Sequence, residues 1–254
     1  MNFIGIIPAR FASTRFPGKP LADILGKTMI QRVYEQASKA IDDVWVATDD
    51  TRIFDVVKAF GGNVVMTSTE HRSGTDRCAE AIQKITVITG RQFDVVINVQ
   101  GDEPFIQPKH IPLIKDCFLH SPDTEIATLI QPILVPEHIF MTDMVKVVLD
   151  NEANAIYFSR SPIPHIVRVD PSEWLNYATF YGHLGLYAYH TRTLLKLSKL
   201  IPGILEKVES LEQLRWLENG FKIKTCLTDS DNFGIDTPED LEKVIAAGID
   251  KYYL

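Results

Sequence analysis

At 254 residues the chain can bury a large core, and its 45% hydrophobic and 23% charged content excludes extensive disorder. A net charge of −7 excludes a general nucleic-acid binder, which needs a basic face to release counterions. No apolar run approaches the roughly 20 residues that span a bilayer, and Phe3 to Ile7 is too short for a signal-peptide core, so a cytoplasmic protein without membrane contact is expected.

Taken in chain order, the first half alternates strand and helix. The short apolar stretches FIGIIPA, DVWVATD, NVVMTS and DVVINVQ are β-branched, as buried parallel strands are. Between and after them, helical patterns run from Met29 to Ala40, Thr51 to Phe60, Thr75 to about Thr86 and Pro108 to Phe118. This alternation predicts an α/β protein with a mainly parallel, doubly wound sheet. From about 126 to 190 the pattern changes to the strands IATLIQPI, MVKVVLD, AIYFS and HLGLYAYH, broken by five prolines, which predicts a smaller antiparallel insertion or extension. Helices return over Thr191 to Leu200, Ser210 to Asn219 and Pro238 to Ala247. Ser210 and Gln213 have capping-box spacing, and Thr237 before Pro238 reads as an N-cap. With no repeat and no Gly/Ser linker, the chain reads as one unit over 1–254. Cys78, Cys117 and Cys226 show no metal spacing and are expected as reduced thiols filling the core.

The first strand runs into IIPARFASTRFPGKPL. Between residues 10 and 27, four cations (Arg10, Arg15, Lys19, Lys27) face one carboxylate, Asp23, for a local charge of +3 on an acidic chain. Such a spot suits a small polyanion. GxxxxGK[ST] fails at Pro20 and GxGxxG is absent, which removes support for a P-loop enzyme or a dinucleotide-dependent dehydrogenase. What remains is a loop whose amides and long cations can wrap a triphosphate.

In an open α/β sheet, Arg10 after the first strand and Asp102 after VVINV emerge at one edge, placing cations beside a carboxylate. Magnesium takes one or two carboxylates together with phosphate and water, whereas a lone Asp after a strand also serves as a turn residue. Asp236, just before a helix, either favours the helix dipole or pairs with Asp102. In HLGLYAYH, His183, Gly185, Tyr187 and Tyr189 share one face, either a platform for a hydroxylated ligand or a half-exposed sheet surface. HRSGTDR is either a helix-capping glycine turn or a source of hydrogen bonds to a base.

In order along nearly the whole chain, the opening loop, TDD, HRSGTDR, NVQGDEPFI, FSRSPIP, HLGLYAY, LEQLR and GIDTPEDLE closely resemble the 3-deoxy-manno-octulosonate (Kdo) cytidylyltransferases. The resemblance implies a nucleotide-diphosphosugar transferase fold, with a homodimer built through the smaller subdomain at about 126–190. The implied reaction is CTP plus Kdo giving CMP-Kdo and pyrophosphate, for lipopolysaccharide assembly. By motif position, Arg10, Ser13, Arg15 and Lys19 would hold the triphosphate, and Arg72, Ser73, Gly74 and Asp76 would contact cytidine. Asp102 and Asp236 would bind Mg2+. Gln100, Arg160, His183, Tyr187 and Glu212 would line the sugar site, with Glu209 and Gln213 also near the expected place. Lys19, Arg10, Asp102 and Asp236 are the implied catalytic set. Rivals are cytidylyltransferases for an 8-amino Kdo analogue or a sialic acid, and a silent nucleotide-binding regulator.

Overall fold

A computed structural model describes residues 1–12, 16–229 and 234–252. In chain order the elements begin with β1 (Phe3–Ala9), β2 (Asp23–Ile24), β3 (Lys27–Thr28), α1 (Met29–Ala37), β4 (Val44–Thr48), α2 (Thr51–Ala59), β5 (Asn63–Met66), α3 (Gly74–Thr89), β6 (Val95–Asn98) and α4 (His110–His120). They continue with β7 (Ile126–Pro132), β8 (Lys146–Leu149), β9 (Ala155–Ser159), β10 (Tyr181–His190), α5 (Thr191–Leu197), α6 (Ile204–Glu209), α7 (Gln213–Glu218), β11 (Ile223–Leu227) and α8 (Pro238–Ala247). The chain divides into two compact units. One holds Met1–Lys115, Ala188–Ser198 and Asn232–Leu254, the other Asp116–Tyr187 and Lys199–Asp231.

In the first unit β1 lies between β4 and β6, parallel to both, and β5 pairs parallel with β4. Ile4, Ile6 and Ile7 are fully buried because helices cover both faces of such a sheet, which is why the strand reads as an unbroken apolar run. Pairing Phe3 with Val95 and Ile6 with Asn98 puts the carboxyl ends of β1 and β6 side by side, and Val99 N–H extends the ladder to Ile6 O. Arg10 and Asp102 leave the sheet from those two ends. Between β2 and β3 the chain turns through Leu25 and Gly26, both left-handed, the geometry of a two-residue hairpin.

In the second unit β8 pairs antiparallel with both β9 and β10, while β7 pairs parallel with β11. The antiparallel expectation therefore holds for β8 to β10. Strand β11, absent from the sequence reading, makes the β7 edge parallel. A second apolar cluster here gathers Ile133, Ile139, Trp174 and Phe180, with Trp174 stacked on Phe180. The stretch 165–180 contributes Trp174 and Phe180 to this core, while Tyr177 stays exposed.

Two local expectations fail. Ser210 does not start a helix: it closes α6 in the left-handed region at φ 53, and α7 begins only at Gln213. The Ser-x-x-Gln spacing is there, but the chain turns between the two residues, splitting the expected Ser210–Asn219 helix. Three reduced thiols are not found either, because Cys117 in α4 and Cys226 in β11, 109 residues apart, form a disulfide; Cys78 remains a buried thiol. Tertiary packing brings that pair together, so no spacing rule announces it.

The Thr237 N-cap is present. Its side chain accepts from Asp240 N–H, and Asp240 returns the bond to Thr237 N–H, completing a capping box. Thr237→Ala should lower stability by about 1 kcal/mol, seen as a reduced urea midpoint with unchanged slope.

Candidate functional site

The site in the first unit is built on one buried ammonium. Gly18, at φ 72, turns the loop back so that its N–H donates to Phe11 O at 3.0 Å; a Cβ there would press on the Phe11 ring at 3.1 Å. The chain then enters a short 3-10 turn, Lys19–Leu21, whose second residue, Pro20, needs no donor. This delivers Lys19, only 7% exposed, with its Nζ donating to Asp102 Oδ2 at 2.8 Å and Asp236 Oδ1 at 3.1 Å. The two carboxylates are tied by backbone as well: Ile235 N–H donates to Asp102 O at 3.0 Å. Asp240 Oδ2 in turn accepts from Asp236 N–H, and these bonds, with burial working against them, hold Asp240 below the usual carboxylate range.

Beside this trio lies a cavity of about 240 Å³, lined by Pro8 to Arg10, Lys19, Pro20, His71 to Gly74, Arg77 and Gln100 to Asp102. Of its cations, Arg10 and Arg72 are exposed and form no ion pair among the described residues. Arg77 is committed: 3% exposed, it donates to Asp49 at 2.8 Å and to Thr67 Oγ1 at 2.6 Å. At Gly101 an added Cβ would meet Pro8 O at 2.8 Å, so only glycine lets β1 and the 100–102 turn pass this closely. The N-terminus of α3 faces the same cavity, with Ser73 as N-cap accepting from Asp76 N–H. A helix start with uncommitted arginines beside it is an anion site by construction. Behind it, His71 meets Glu80. Burial would raise the Glu80 pKa, but Lys84, Ser68 N–H and His71 overcome it and bring it down to about 2.

In the second unit polar groups are buried and fixed. Lys146, with no exposed surface, donates to Met141 O, Met144 O and Arg160 O at 2.7, 2.6 and 2.6 Å. Burial lowers its pKa; Arg160 adds to this and Glu209 opposes it. Glu209 accepts from Ser159 Oγ at 2.6 Å and from Arg160 N–H at 3.0 Å, while Arg160 Nε donates to Glu209 O. His183 lies edge-on to Phe158 and against Tyr187, centroids 5.1 and 5.2 Å away. Burial drives the His183 pKa down to about 3, so the ring is neutral. Burial, reinforced by Glu212, raises Tyr187 well above its ordinary value, although Thr128 opposes the shift. Glu212 itself accepts from Arg215 Nη2 at 3.0 Å.

A family model described as cytidylyltransferase matches residues 4–223. The chain belongs to the cytidylyltransferase family. A 3-deoxy-manno-octulosonate cytidylyltransferase from Parabacteroides distasonis is 57% identical over 250 residues, covering 97% of this chain and 98% of its own. One of the same description from Bacteroides thetaiotaomicron is 56% identical over 245 residues, covering 95% and 96%. Among solved structures, a CMP:2-keto-3-deoxy-manno-octonic acid synthetase complexed with CTP superposes with a TM-score of 0.89 at 40% identity, covering 99% of this chain and all of that one. A Leptospira borgpetersenii cytidylyltransferase, 19% identical with a TM-score of 0.63, shares the fold. The nucleotidyltransferase fold is thereby shown.

Arg10, Lys19, Arg72, Ser73, Gly74, Gln100 and Asp102 come together around one cavity, and Asp236 reaches it through Lys19. Ser13 and Arg15 lie outside the described residues. Asp76 lies off this cavity, in a neighbouring depression with Glu70 and Glu80. Arg160, His183, Tyr187 and Glu212 all belong to the second unit. Of the three candidates near LEQLR, the one that holds Arg160 is Glu209. Sequence reasoning overlooked Arg77 and Lys146; an Asp in TDD and an Arg closing HRSGTDR signal an ion pair only once β4 and α3 are adjacent.

His183 also gives a pH dependence. Its folded pKa of about 3 lies below the ordinary 6.5, so the unfolded chain takes up a proton that the native state refuses. This contribution is complete above pH 6.5 and is lost as pH falls toward 3. Melting temperatures taken downward from pH 6.5 should drop less steeply in His183→Gln than in wild type; equal slopes would refute the assignment.

Proposed function

We infer that this chain transfers CMP from CTP to the anomeric hydroxyl of Kdo, releasing pyrophosphate; the relatives named 3-deoxy-manno-octulosonate cytidylyltransferase and the related synthetase complexed with CTP support this reading. The observation that carries the reading is the buried Lys19 ammonium held by Asp102 and Asp236 at the rim of an arginine-lined, helix-capped cavity. Arg10 and Lys19, with Ser13 and Arg15 of the same loop, bind the triphosphate. The α3 start at Arg72 to Gly74, with Asp76 next in the helix, contacts the cytidine. Arg160, His183, Tyr187 and Glu212 of the second unit recognise the sugar, and Gln100, in the cavity of the first unit, is assigned to the sugar as well.

Asp102 and Asp236 fit a magnesium ion, since both carboxylates already converge on a single cation and magnesium asks for one or two carboxylates, with phosphate and water completing its shell. When bound, it would supply charge neutralisation at the phosphoryl oxygens. Among the described residues no cluster of three or more His, Cys, Asp or Glu is arranged for a metal.

The sugar hydroxyl attacks the α-phosphorus in line and gives up its proton to solvent; the bond from the α-phosphorus to the bridging oxygen breaks, and pyrophosphate departs toward Lys19 and Arg10, which stabilise its charge. Positioning and electrostatics suffice, without a covalent intermediate. No helix among the described residues is long and apolar enough to cross a membrane. We place the enzyme in the cytoplasm, where CTP is available, acting as a homodimer through its second unit and supplying activated Kdo for lipopolysaccharide assembly.

Pyrophosphate release should be measured with CTP and magnesium against Kdo, its 8-amino analogue and sialic acid separately. Kdo should be turned over; preference for another sugar would overturn the substrate, and silence with all three would favour a regulator. Lys19→Ala and Asp102→Asn should each lower kcat by about 100-fold or more, as removal of a group stabilising transition-state charge does.

A further inference from the structure

Thr128, on β7, is fully buried, and three polar contacts converge on its hydroxyl. Its Oγ1 lies 2.9 Å from Leu186 O, 3.2 Å from Leu184 O and 3.0 Å from His183 Nε2. A hydroxyl has one proton and two lone pairs. If that proton pointed at His183, the oxygen's lone pairs would face two carbonyl oxygens that can only accept, an oxygen–oxygen repulsion at 2.9 Å. The proton therefore goes to the carbonyls, and toward His183 the hydroxyl is an acceptor. The imidazole must then carry its proton on Nε2.

A neutral imidazole protonated on Nε2 presents an unprotonated Nδ1. Among the described residues Nδ1 has no hydrogen-bond partner. The ring cannot easily turn to exchange the two nitrogens, because Phe158 and Tyr187 pack on it and His183 N–H is tied to Val145 O at 2.8 Å. Arg160 follows two residues after Phe158, so a cationic group for a carboxylate and an acceptor for a hydroxyl belong to neighbouring segments of the same unit.

We propose that Thr128 is a positioning residue for sugar recognition: by accepting from His183 Nε2–H it fixes the tautomer in which Nδ1 accepts a hydrogen bond from a hydroxyl of the acidic sugar. This rests on the reading above that His183 lines the sugar site. Thr128 touches no substrate and acts only through the ring.

The experiment uses the full-length protein, 15N-labelled, without sugar or nucleotide. Long-range imidazole correlation spectra, with His183 assigned by its loss in His183→Gln, should show the proton on Nε2. Thr128→Val keeps the shape but loses the acceptor. It should populate the other tautomer and raise KM for Kdo by roughly three- to tenfold, the loss of one hydrogen bond, leaving kcat and KM for CTP within about twofold. Thr128→Ser should restore both spectrum and KM. A wild-type spectrum with the proton on Nδ1 overturns the proposal even if Thr128→Val does not fold, as does a tautomer change that leaves KM for Kdo untouched. Failure of wild type to turn over Kdo would overturn the substrate reading instead, and the sugar-free spectrum would still judge the tautomer.

Discussion

Two carboxylates separated by 134 positions in the chain, Asp102 and Asp236, both reach one ammonium group, and much of the first unit can be understood as the means of holding them there. Like charges this close cannot both stay ionised without a cation between or beside them. Lys19 supplies it, and its own burial is tolerable only because two anions compensate it. Each supporting feature fixes one arm of the trio: the left-handed Gly18 and the 3-10 turn aim Lys19, the β1–β6 register sets Asp102, and the α8 capping box sets Asp236.

That arrangement is well suited to a cation that comes and goes. The carboxylates are half exposed while the ammonium is nearly buried, with side-chain exposures of 41% and 50% against 9%. Open carboxylate faces can take a divalent ion without unpacking the core, and Lys19, at the end of a flexible four-carbon stem, can turn toward a phosphate as the charge between the carboxylates is replaced. Arg77 beside the same cavity behaves differently. Locked to Asp49 and Thr67, it shapes the wall and keeps its charge from competing with the uncommitted Arg10 and Arg72.

How much of this was legible in the sequence depended on the range of the interaction. Strands β1, β4, β5 and β6 announced themselves because both faces are buried, leaving uninterrupted β-branched runs. Strand β11 did not: IKTCL buries Ile223 and the polar Thr225 and leaves Lys224 and Cys226 less buried, too short and too mixed an alternation to separate from a loop. Ser210 misled because a capping-box spacing records residue types, whereas the backbone angle at Ser210 is set by the packing of α6 and α7. In the site, Asp102 followed from its place at a strand end and Lys19 from the cation loop after β1, but Arg77 and Lys146 did not. Arg77 pairs with Asp49, 28 residues away, and Lys146 reaches the Arg160 carbonyl, 14 residues away, and no local pattern encodes these.

The two units handle polar groups by opposite means. In the first, opposite charges are paired and partly accessible, so that one cation can be exchanged for another. In the second, burial holds two rings neutral, with His183 well below its ordinary pKa and Tyr187 well above, while Lys146 gives all three of its ammonium protons to carbonyls. Groups held neutral recognise hydroxyls by direction rather than by charge, and they keep doing so across the physiological range because nothing there titrates. A polyhydroxylated acid needs both modes, one cation for its carboxylate and several oriented neutral groups for its hydroxyls. Arg160 fits the first need: Glu209 and Thr142 fix its Nε and Nη1, while Nη2 has no hydrogen-bond partner among the described residues. Directional selection of this kind costs binding energy whenever a hydroxyl is missing or inverted, because a buried donor or acceptor is then left unpaired. A buried neutral network is therefore where the fold can discriminate between acidic sugars of equal charge.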